Sequence, residues 1–499
     1  MQGATLAIVN GRVWGAGPGV TAVAVVGDRI AATGADSQVR RMAAPRVRLV
    51  DAAGATILPA FNDAHVHFLM ASRSLGELDL HGAQTQAEVE RRVEEYSRRH
   101  PGPWIVGRGW FYSAFPGGMP AIEVLDRLVP DRPAYMESFD AHTAWANSRA
   151  VQIAGAPPGE VLKEAAMLQV TNHIPQRSRA EDIAAIHDGM RLAASRGVGS
   201  VQEAGDGLDQ LALWEDLLEA DALTLRVRLA FDMKPGHGLD EWGRRLELYR
   251  EASLRARDPW IATGILKAFA DGVVESRTAA MLEPYAGGDD RGAPLWERDE
   301  LAAAVRLADA RGWQVQVHAI GDAAIRQALD AFEGTTPGRR HRVEHIETPA
   351  DSDVPRFGRL GVVASMQPQH ADPRLTEAWR DNLGTSRSER GWPWSSLSES
   401  GARLAFGTDW PVVPLDPFAG ISIASARHGQ KLDLVQAVEA WTAGSAYAEH
   451  AEGFKGDLRA GMLADIAVLD RDLESTAAQG IGSIKVAATI VGGKVVYET

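Results

Sequence analysis

The sequence predicts an α/β protein in which an eight-stranded parallel barrel is flanked by β-rich segments from both termini. Three observations predict this fold. Short apolar runs alternate with amphipathic stretches through the middle of the chain, both termini hold short β-type runs broken by glycine or proline, and residues able to bind a metal follow several apolar runs. Strand–helix alternation over this length indicates a parallel barrel with its reactive groups at the C-terminal strand ends.

The two terminal segments carry the first and last predicted strands. Near the N terminus these strands cover residues 6–9, 22–26 and 47–50, and near the C terminus they cover 464–469, 487–491 and 495–497. Each segment is too small to bury a core of its own. We therefore expect residues 1–55 and 448–499 to join in one domain.

Residues 56–447 are predicted to form the barrel. Its first strand ends at His67, and seven more are expected near 197–205, 223–232, 264–272, 314–322, 341–347, 361–368 and 403–410. Helical stretches such as 298–311 and 322–332 lie between them. Residues from about 72 to 190 do not fit the alternation, so we predict an insertion above the catalytic face.

The predicted insertion holds an amphipathic helix over 84–96, followed by aromatic residues. The helix is typical of a solvated surface helix. The sequence leaves two interpretations of these aromatic residues open: they roof a substrate pocket, or they form the core of the insertion itself. The residues concerned are Trp110, Phe111, Tyr112, Phe115 and the segment 140–145.

Composition restricts the possible ligands and partners. The chain has 499 residues, of which 45% are hydrophobic and 24% charged, as in ordinary globular proteins. It has no cysteine, so any metal must be bound through nitrogen and oxygen. A net charge of -14 disfavours nucleic acid. Neither a signal peptide nor a membrane-spanning run is evident, and we expect a cytoplasmic protein without membrane partners.

A candidate metal site begins at His65 and His67. Residues two apart on a strand face the same side, so both imidazoles can bind one ion. A lone His-x-His pair is weak evidence, but four later β-type runs also carry a residue that can take part in a metal site: Lys267, His318, His345 and Asp409. Imidazole nitrogen and carboxylate oxygen are ligands typical of zinc.

These motifs resemble amidohydrolase family 3, the branch that includes hydrolases similar to YtcJ and to N-substituted formamide deformylase. The resemblance covers nearly the whole chain and rests on the segments 62–67, 265–272, 318–324, 342–345, 365–368, 407–412 and 461–470. It implies that the terminal strands form a discontinuous β-sandwich. It also implies two divalent metal ions, zinc by preference, and an N6-carboxylated Lys267 that bridges them.

The resemblance further implies a role for each site residue. His65, His67 and Asp409 would hold the more buried metal, and His318 and His345 the more exposed one. Asp409 would also be catalytic, taking a proton from water and passing it to the leaving amine. Candidates for orienting the imidazoles are Asp63, Asp322 and Glu344, and candidates for substrate contact are His142, Arg277, Gln367, His370 and Trp410.

Several alternatives stay open at this point. Lys267 could form a Schiff base or pair with Asp271 instead of being carboxylated. The expected function is hydrolysis of an amide, N-formyl or N-acyl C–N bond by metal-activated hydroxide. The alternatives are a deaminase, an ester or lactone hydrolase, and a non-catalytic assembly protein. A serine hydrolase has no support, because no Gly-x-Ser-x-Gly occurs. The expected partner is a small-molecule substrate, with a homodimer left open.

Overall fold

An eight-stranded, all-parallel sheet forms the centre of the protein and confirms the predicted fold class. The computed structural model describes residues 3–155, 161–163 and 166–499. The strands follow one another around the sheet in chain order: Phe61–Val66, Val198–Glu203, Arg226–Asp232, Ile261–Phe269, Gln314–Ala319, Arg342–His345, Val363–Met366 and Leu404–Phe406.

The first and last strands of this sheet meet through the backbone that follows them. The Asp409 N–H donates to the His65 carbonyl at 2.7 Å, and the His67 N–H donates to the Trp410 carbonyl at 2.9 Å. Gly407 allows this approach, because a Cβ at that position would lie 2.5 Å from the His65 nitrogen. The barrel is thus closed by the same residues that carry the candidate ligands.

Helices cover the outside of the barrel and bury an apolar layer against its strands. The helix before the second strand begins with a capping box, in which Ser178 and Glu181 satisfy each other's backbone N–H groups. The helices after the first strand and around the barrel are Phe68–Ser74, Arg179–Ser195, Gly207–Glu219, Leu239–Ser253, Arg298–Ala310, Asp322–Phe332, Val354–Leu360, Glu377–Leu383, Thr385–Ser388, Trp394–Glu399, Pro417–Ala426, Leu434–Trp441 and Ala443–Ala448.

The terminal segments form two sheets that pack face to face. One sheet has the order Arg29–Gly34, Ala22–Val26, Ala4–Val9, Ala43–Asp51, with the helix Asp36–Met42 beside it. The other has the order Arg12–Val13, Thr56–Pro59, Ile466–Leu469, Val486–Val491, Lys494–Glu498. Residues from both sheets, such as Ile8, Val25, Ile466 and Ile490, share one buried cluster.

The chain enters the barrel later than the sequence pattern suggests. Thr56–Pro59 pairs with Ile466–Leu469 in the terminal sheet, and the first barrel strand begins at Phe61. Both runs are apolar and only Ala60 separates them, so periodicity alone merges two strands that belong to different sheets.

The insertion contains a five-stranded sheet of its own, in the order Leu162–Lys163, Thr143–Ala146, Ala134–Ser138, Ile105–Trp110, Leu78–Asp79. Its helices are Gln86–Arg99, Ile122–Leu128, Ser148–Ala154 and Met167–Thr171. Residues 156–160 and 164–165 of the predicted insertion, like residues 1–2 of the N-terminal segment, lie outside the described residues. In the described ranges, no helix combines the length and the apolar character needed to cross a lipid bilayer.

Candidate metal centre

The histidines singled out in the sequence lie together at the C-terminal ends of the barrel strands. The ring centroid of His345 lies 4.9 Å from that of His65 and 4.4 Å from that of His318, and the rings of His65 and His67 are 5.7 Å apart. Lys267 and Asp409 are buried beside them. The barrel therefore brings residues that are more than 300 positions apart in the sequence into one cluster.

The carboxylate of Asp409 lies between two groups of ligand-type side chains. Its Oδ1 is 3.5 Å from His65 Nε2 and 3.4 Å from His67 Nε2. Its Oδ2 is 3.9 Å from His345 Nδ1 and 3.8 Å from His370 Nε2. In each group of three, the ligand atoms lie within 4.8 Å of one another. One carboxylate with an oxygen toward each group suits two adjacent cations.

The buried polar atoms of this cluster fit a metal site. Among the described residues, both ring nitrogens of His345, Nε2 of His370 and Oδ1 of Asp409 are buried without a hydrogen-bond partner. Such atoms are costly in a protein interior unless something binds them. Imidazole nitrogen and carboxylate oxygen together favour zinc or a similar divalent ion.

Lys267 is the cation of the cluster. Its Nζ lies 3.2 Å from His65 Nε2, the nitrogen that also faces Asp409. The side chain is 1% exposed, and this burial lowers the pKa of Lys267 to about 8. A buried amine that loses its proton readily is suited to carboxylation, because only the neutral amine reacts with carbon dioxide.

Within the described part of the chain, Lys267 and Asp271 do not form the ion pair that was considered as an alternative to carboxylation. The Asp271 carboxylate instead accepts hydrogen bonds from the backbone N–H groups of Ala280, Ile320 and Gly321, at 2.8 to 3.1 Å. Asp271 therefore fixes the loops after two neighbouring barrel strands.

His318 and His370 both lie next to His345. His318 Nε2 lies 3.1 Å from the Gly272 carbonyl, and His318 belongs to neither group of three. His370, expected as a substrate contact, completes the group with His345 and Asp409. Its ring stacks on that of His345 with centroids 5.8 Å apart, and a hydrogen bond to Glu347 helps to raise its pKa against the opposing effect of burial.

Glu344 orients His65. Its Oε2 lies 2.6 Å from His65 Nδ1, so the opposite ring nitrogen points toward Asp409 and Lys267. Arg342 pairs with the other Glu344 oxygen at 2.9 Å and donates to the Ala64 carbonyl at 2.6 Å. Sequence reasoning missed Arg342, although an arginine two residues before Glu344 on a strand must face the same side.

Asp63 links the first strand to the segment before Asp409. It accepts hydrogen bonds from the Thr408 N–H at 2.9 Å and the Thr408 hydroxyl at 2.7 Å, and burial raises its pKa to about 7. Asp322 instead accepts from the Leu282 N–H at 2.7 Å, at the start of a barrel helix. Of the acids expected to orient the imidazoles, Glu344 therefore contacts the side chain of a candidate ligand. Asp63 instead holds Thr408, the residue before Asp409, through its backbone N–H and its hydroxyl.

Two candidate ligands have left-handed backbone conformations. The φ angles of His345 and Asp409 are 74° and 60°. Positive φ angles are uncommon for residues other than glycine, and they tend to persist where the surrounding structure enforces them at a functional site. Burial also raises the pKa of the Asp409 carboxylate to about 6.

A cavity of about 570 Å³ opens above the cluster. Its floor includes His67, His318, His345, His370 and Asp409. The insertion supplies much of its wall, through Tyr135, Glu137, Phe139, Asp140, Ala141, His142, Met167, Leu168 and Thr171.

The aromatic residues singled out in the insertion lie mainly in its core. Trp110, Phe111, Tyr112 and Phe115 belong to one buried cluster, and none of the four lines the cavity above the ligands among the described residues. Asp140, Ala141 and His142, from the segment 140–145 that was also singled out, do line it, and the His142 ring lies 5.8 Å from that of His318.

The remaining expected substrate contacts lie elsewhere. Arg277 is exposed and donates to Asn382 Oδ1 at 2.9 Å. Trp410 is buried with its ring 5.6 Å from that of Phe68, and Gln367 is also buried. Within the described residues, these three do not belong to the lining of the cavity above the ligands.

Comparison with known families identifies the scaffold. The model of the amidohydrolase family matches residues 48–497. The chain belongs to the amidohydrolase family. This membership confirms the resemblance drawn from the sequence motifs and supports a hydrolase.

Three curated relatives align with most of this amidohydrolase. Protein LONG AFTER FAR-RED 3 of Arabidopsis thaliana is 28% identical over 99% of this chain and 92% of its own. The putative amidohydrolase YtcJ of Bacillus subtilis is 27% identical over 91% of each chain. N-substituted formamide deformylase of Arthrobacter pascens is 26% identical over 96% of this chain and 95% of its own.

A solved structure gives the same result for the fold. An uncharacterized metal-dependent hydrolase from Pyrococcus furiosus superposes with a TM-score of 0.73 at 26% identity, covering 94% of this chain and 99% of its own. Together with the clustered histidines and Asp409, this similarity supports a divalent metal in the amidohydrolase described here.

Proposed function

We propose that this amidohydrolase cleaves the C–N bond of an amide, N-formyl or N-acyl compound with the help of two divalent metal ions, zinc by preference. The observation that carries the proposal is the position of Asp409, whose two oxygens face two separate groups of histidines. The name of the deformylase relative is consistent with a C–N bond as the target.

The metal ligands in this proposal are His65, His67, Lys267, His318, His345 and Asp409, with His370 within reach of the second ion. When bound, a metal pair would polarise the scissile carbonyl and make hydroxide available at neutral pH.

Asp409 has the position of a proton carrier in this proposal. Its carboxylate lies at the cavity floor, and burial favours its protonated form more than in water. It would take a proton from the attacking water and deliver it to the departing nitrogen, so that the amine leaves as a neutral molecule. Glu344 would hold His65 in one orientation throughout.

Lys267 would be carboxylated at Nζ. The neutral amine attacks the carbon of carbon dioxide: the N–C bond forms, the electrons of one C=O π bond move to oxygen, and one N–H proton is lost to water. The product is an anion, so a cation that repels metal ions becomes a ligand for them. The proximity of Nζ to His65 Nε2, at 3.2 Å, and its burial support this proposal.

A substrate panel tests the reaction class. Protein stripped with a chelator and reloaded with zinc is assayed against N-formyl, N-acyl and cyclic amides, esters, lactones and amino-substituted heterocycles. We expect amide-type substrates to be hydrolysed fastest, with activity lost on chelation and restored by metal. Faster turnover of esters or lactones, or deamination of the heterocycles, would contradict the proposal and favour the corresponding alternative reaction.

A Lys267→Ala variant tests the carboxylated lysine. It should lose both metal and activity, and short carboxylic acids should restore part of each by replacing the missing anion. Lys485→Ala removes an exposed lysine and is the matched control. Full metal content in Lys267→Ala without added acid would show that Lys267 is not a ligand.

A further inference from the structure

A second cavity, of about 260 Å³, lies between the insertion and the loops that follow the last two barrel strands. The insertion contributes His81 and Phe111 to its lining, and the loops contribute Leu375 and Val413. Among the described residues, Val412 is the one residue that also lines the cavity above the ligands, and no candidate metal ligand lines the second cavity. The second cavity is therefore separate from the metal centre.

The walls of the second cavity are largely apolar. Phe111 and Val413 belong to the buried core of the insertion, and Leu375 packs against that core. Engineered apolar cavities of about 150 Å³ already accommodate benzene. The second cavity has room for a molecule with one or two rings.

The charged side chains of this lining already have partners. Asp372 Oδ2 lies 2.6 Å from Arg374 Nη2. Asp416 Oδ2 lies 3.2 Å from Arg196 Nη1, and its other oxygen caps the helix that follows. Gln369 Nε2 donates to two backbone carbonyls at 3.0 and 3.1 Å. A lining in which each charge is balanced favours an uncharged occupant over an ionised one.

His81 leaves one polar atom of this lining without a partner. Its Nδ1 lies 2.9 Å from Asp79 Oδ1, and an ionised carboxylate can only accept, so Nδ1 carries the proton. Nε2 of the neutral ring is then an acceptor. Of the buried side-chain atoms that lack a hydrogen bond in the described part of the chain, Nε2 is the one on this lining.

The surrounding chain holds the His81 ring in place. Gly109 has a φ of 89°, and a Cβ at that position would collide with the ring, so the backbone packs directly against it. Arg92 Nη1 donates to the His81 carbonyl at 2.8 Å, and the Asp79 carboxylate also accepts from the His81 N–H at 2.9 Å. A fixed ring presents its acceptor in one direction.

We propose that the second cavity binds a small uncharged aromatic molecule with one hydrogen-bond donor, an N–H or a hydroxyl. The donor satisfies His81 Nε2, and the ring packs against Phe111 and Val413. The site goes beyond the proposed hydrolysis, because it uses none of the residues of the metal centre.

Two bromine-labelled probes test the site. 5-Bromoindole carries the N–H donor, and 5-bromo-1-methylindole has the same rings without it. We expect an anomalous bromine peak in the second cavity of crystals soaked with 5-bromoindole, and a Kd below about 1 mM by calorimetry with the full-length protein. The methylated probe should bind roughly three- to tenfold more weakly, the contribution of one neutral hydrogen bond.

Two substitutions test the lining. His81→Phe keeps a ring and removes the acceptor, so the two probes should bind with equal affinity. Ala419→Phe places a ring in the cavity and should reduce the affinity for 5-bromoindole at least tenfold. His428→Phe, at an exposed position outside this lining, is the control and should leave both affinities unchanged.

Four outcomes would overturn the inference. These are a bromine peak that is absent from the second cavity, a peak without saturable binding in solution, equal affinity of the two probes for the wild-type protein, and a preference for 5-bromoindole that survives in His81→Phe. If His81→Phe does not fold, the two probes on the wild-type protein and the Ala419→Phe variant still decide. Loss of amide hydrolysis in any assay would leave this inference untouched.

Discussion

The floor and the wall of the cavity are built in different ways. The floor and the cluster beneath it come from the ends of barrel strands, where the backbone hydrogen-bond register fixes Lys267, His318 and His345 relative to one another. Much of the wall comes from an insertion with its own sheet and core. The floor is therefore suited to holding the reactive groups in one arrangement. The residues of the wall can be substituted without disturbing that arrangement. If floor and wall act separately, substitutions at the floor should change metal binding or turnover, and substitutions at the wall should change substrate binding.

The largest effect is expected from His345→Ala at the floor. Losing one imidazole removes a ligand from the proposed second ion, whose contribution of several kcal/mol corresponds to a drop in kcat/KM of about 1,000-fold or more. Metal analysis and steady-state kinetics measure this, and exposed His428→Ala is the control. A fully active His345→Ala enzyme would exclude His345 from the site.

Asp409→Asn should separate metal binding from proton transfer. Asparagine tolerates the φ of 60° found at this position and keeps one ligand oxygen, but it cannot accept the proton. Turnover should fall by about two to four orders of magnitude while the ion beside His65 and His67 is retained, because the remaining oxygen can still bind it. Near-parental turnover of an amide across roughly pH 6 to 9, a range around the ~7 of metal-activated water, would assign the proton transfer to another group.

Glu344→Gln tests whether Glu344 positions the candidate ligand His65. The substitution removes the charge that holds His65 Nδ1 at 2.6 Å and leaves Arg342 without its anion. We expect metal affinity to fall by about 10- to 100-fold, measured by competition with a chromophoric chelator. Glu389→Gln, at an exposed position, is the control. Unchanged affinity would mean that Glu344 does not position the ligand.

The smallest effect is expected at the wall. Leu168→Ala shortens a side chain that is 59% exposed, so stability should stay within about 0.5 kcal/mol of the parental value. KM for an amide with a benzyl substituent should rise by roughly two- to fivefold through lost apolar contact, with metal content unchanged. A loss of metal in this variant would show that floor and wall are coupled.

The same contrast explains how much the sequence could predict. The barrel strands and the candidate ligands were predictable because strand ends converge on one face and because His-x-His, His and Asp at such ends are distinctive. Thr56–Pro59 was not separated from the first barrel strand, because pairing partners from the far C terminus decide to which sheet an apolar run belongs.

The wall was less predictable for a physical reason. Trp110 and Phe115 are aromatic whether they fill a core or line a cavity, and only the packing of the insertion decides between the two. The proximity of His370 to His345 and Asp409 likewise depends on how the loop after the seventh strand folds back. Neither of these packing arrangements produces a periodic pattern or a residue spacing that could be recognised in the sequence.

The most direct test of the metal centre is an anomalous difference map of zinc-loaded crystals, recorded at the zinc edge. The proposal predicts two peaks about 3.5 to 4 Å apart on either side of Asp409. One should lie by His65 and His67 and the other by His345, with density extending beyond Lys267 Nζ. A single peak in fully active protein would contradict the binuclear centre proposed for this amidohydrolase, and an unmodified Lys267 beside two bound ions would contradict its carboxylation.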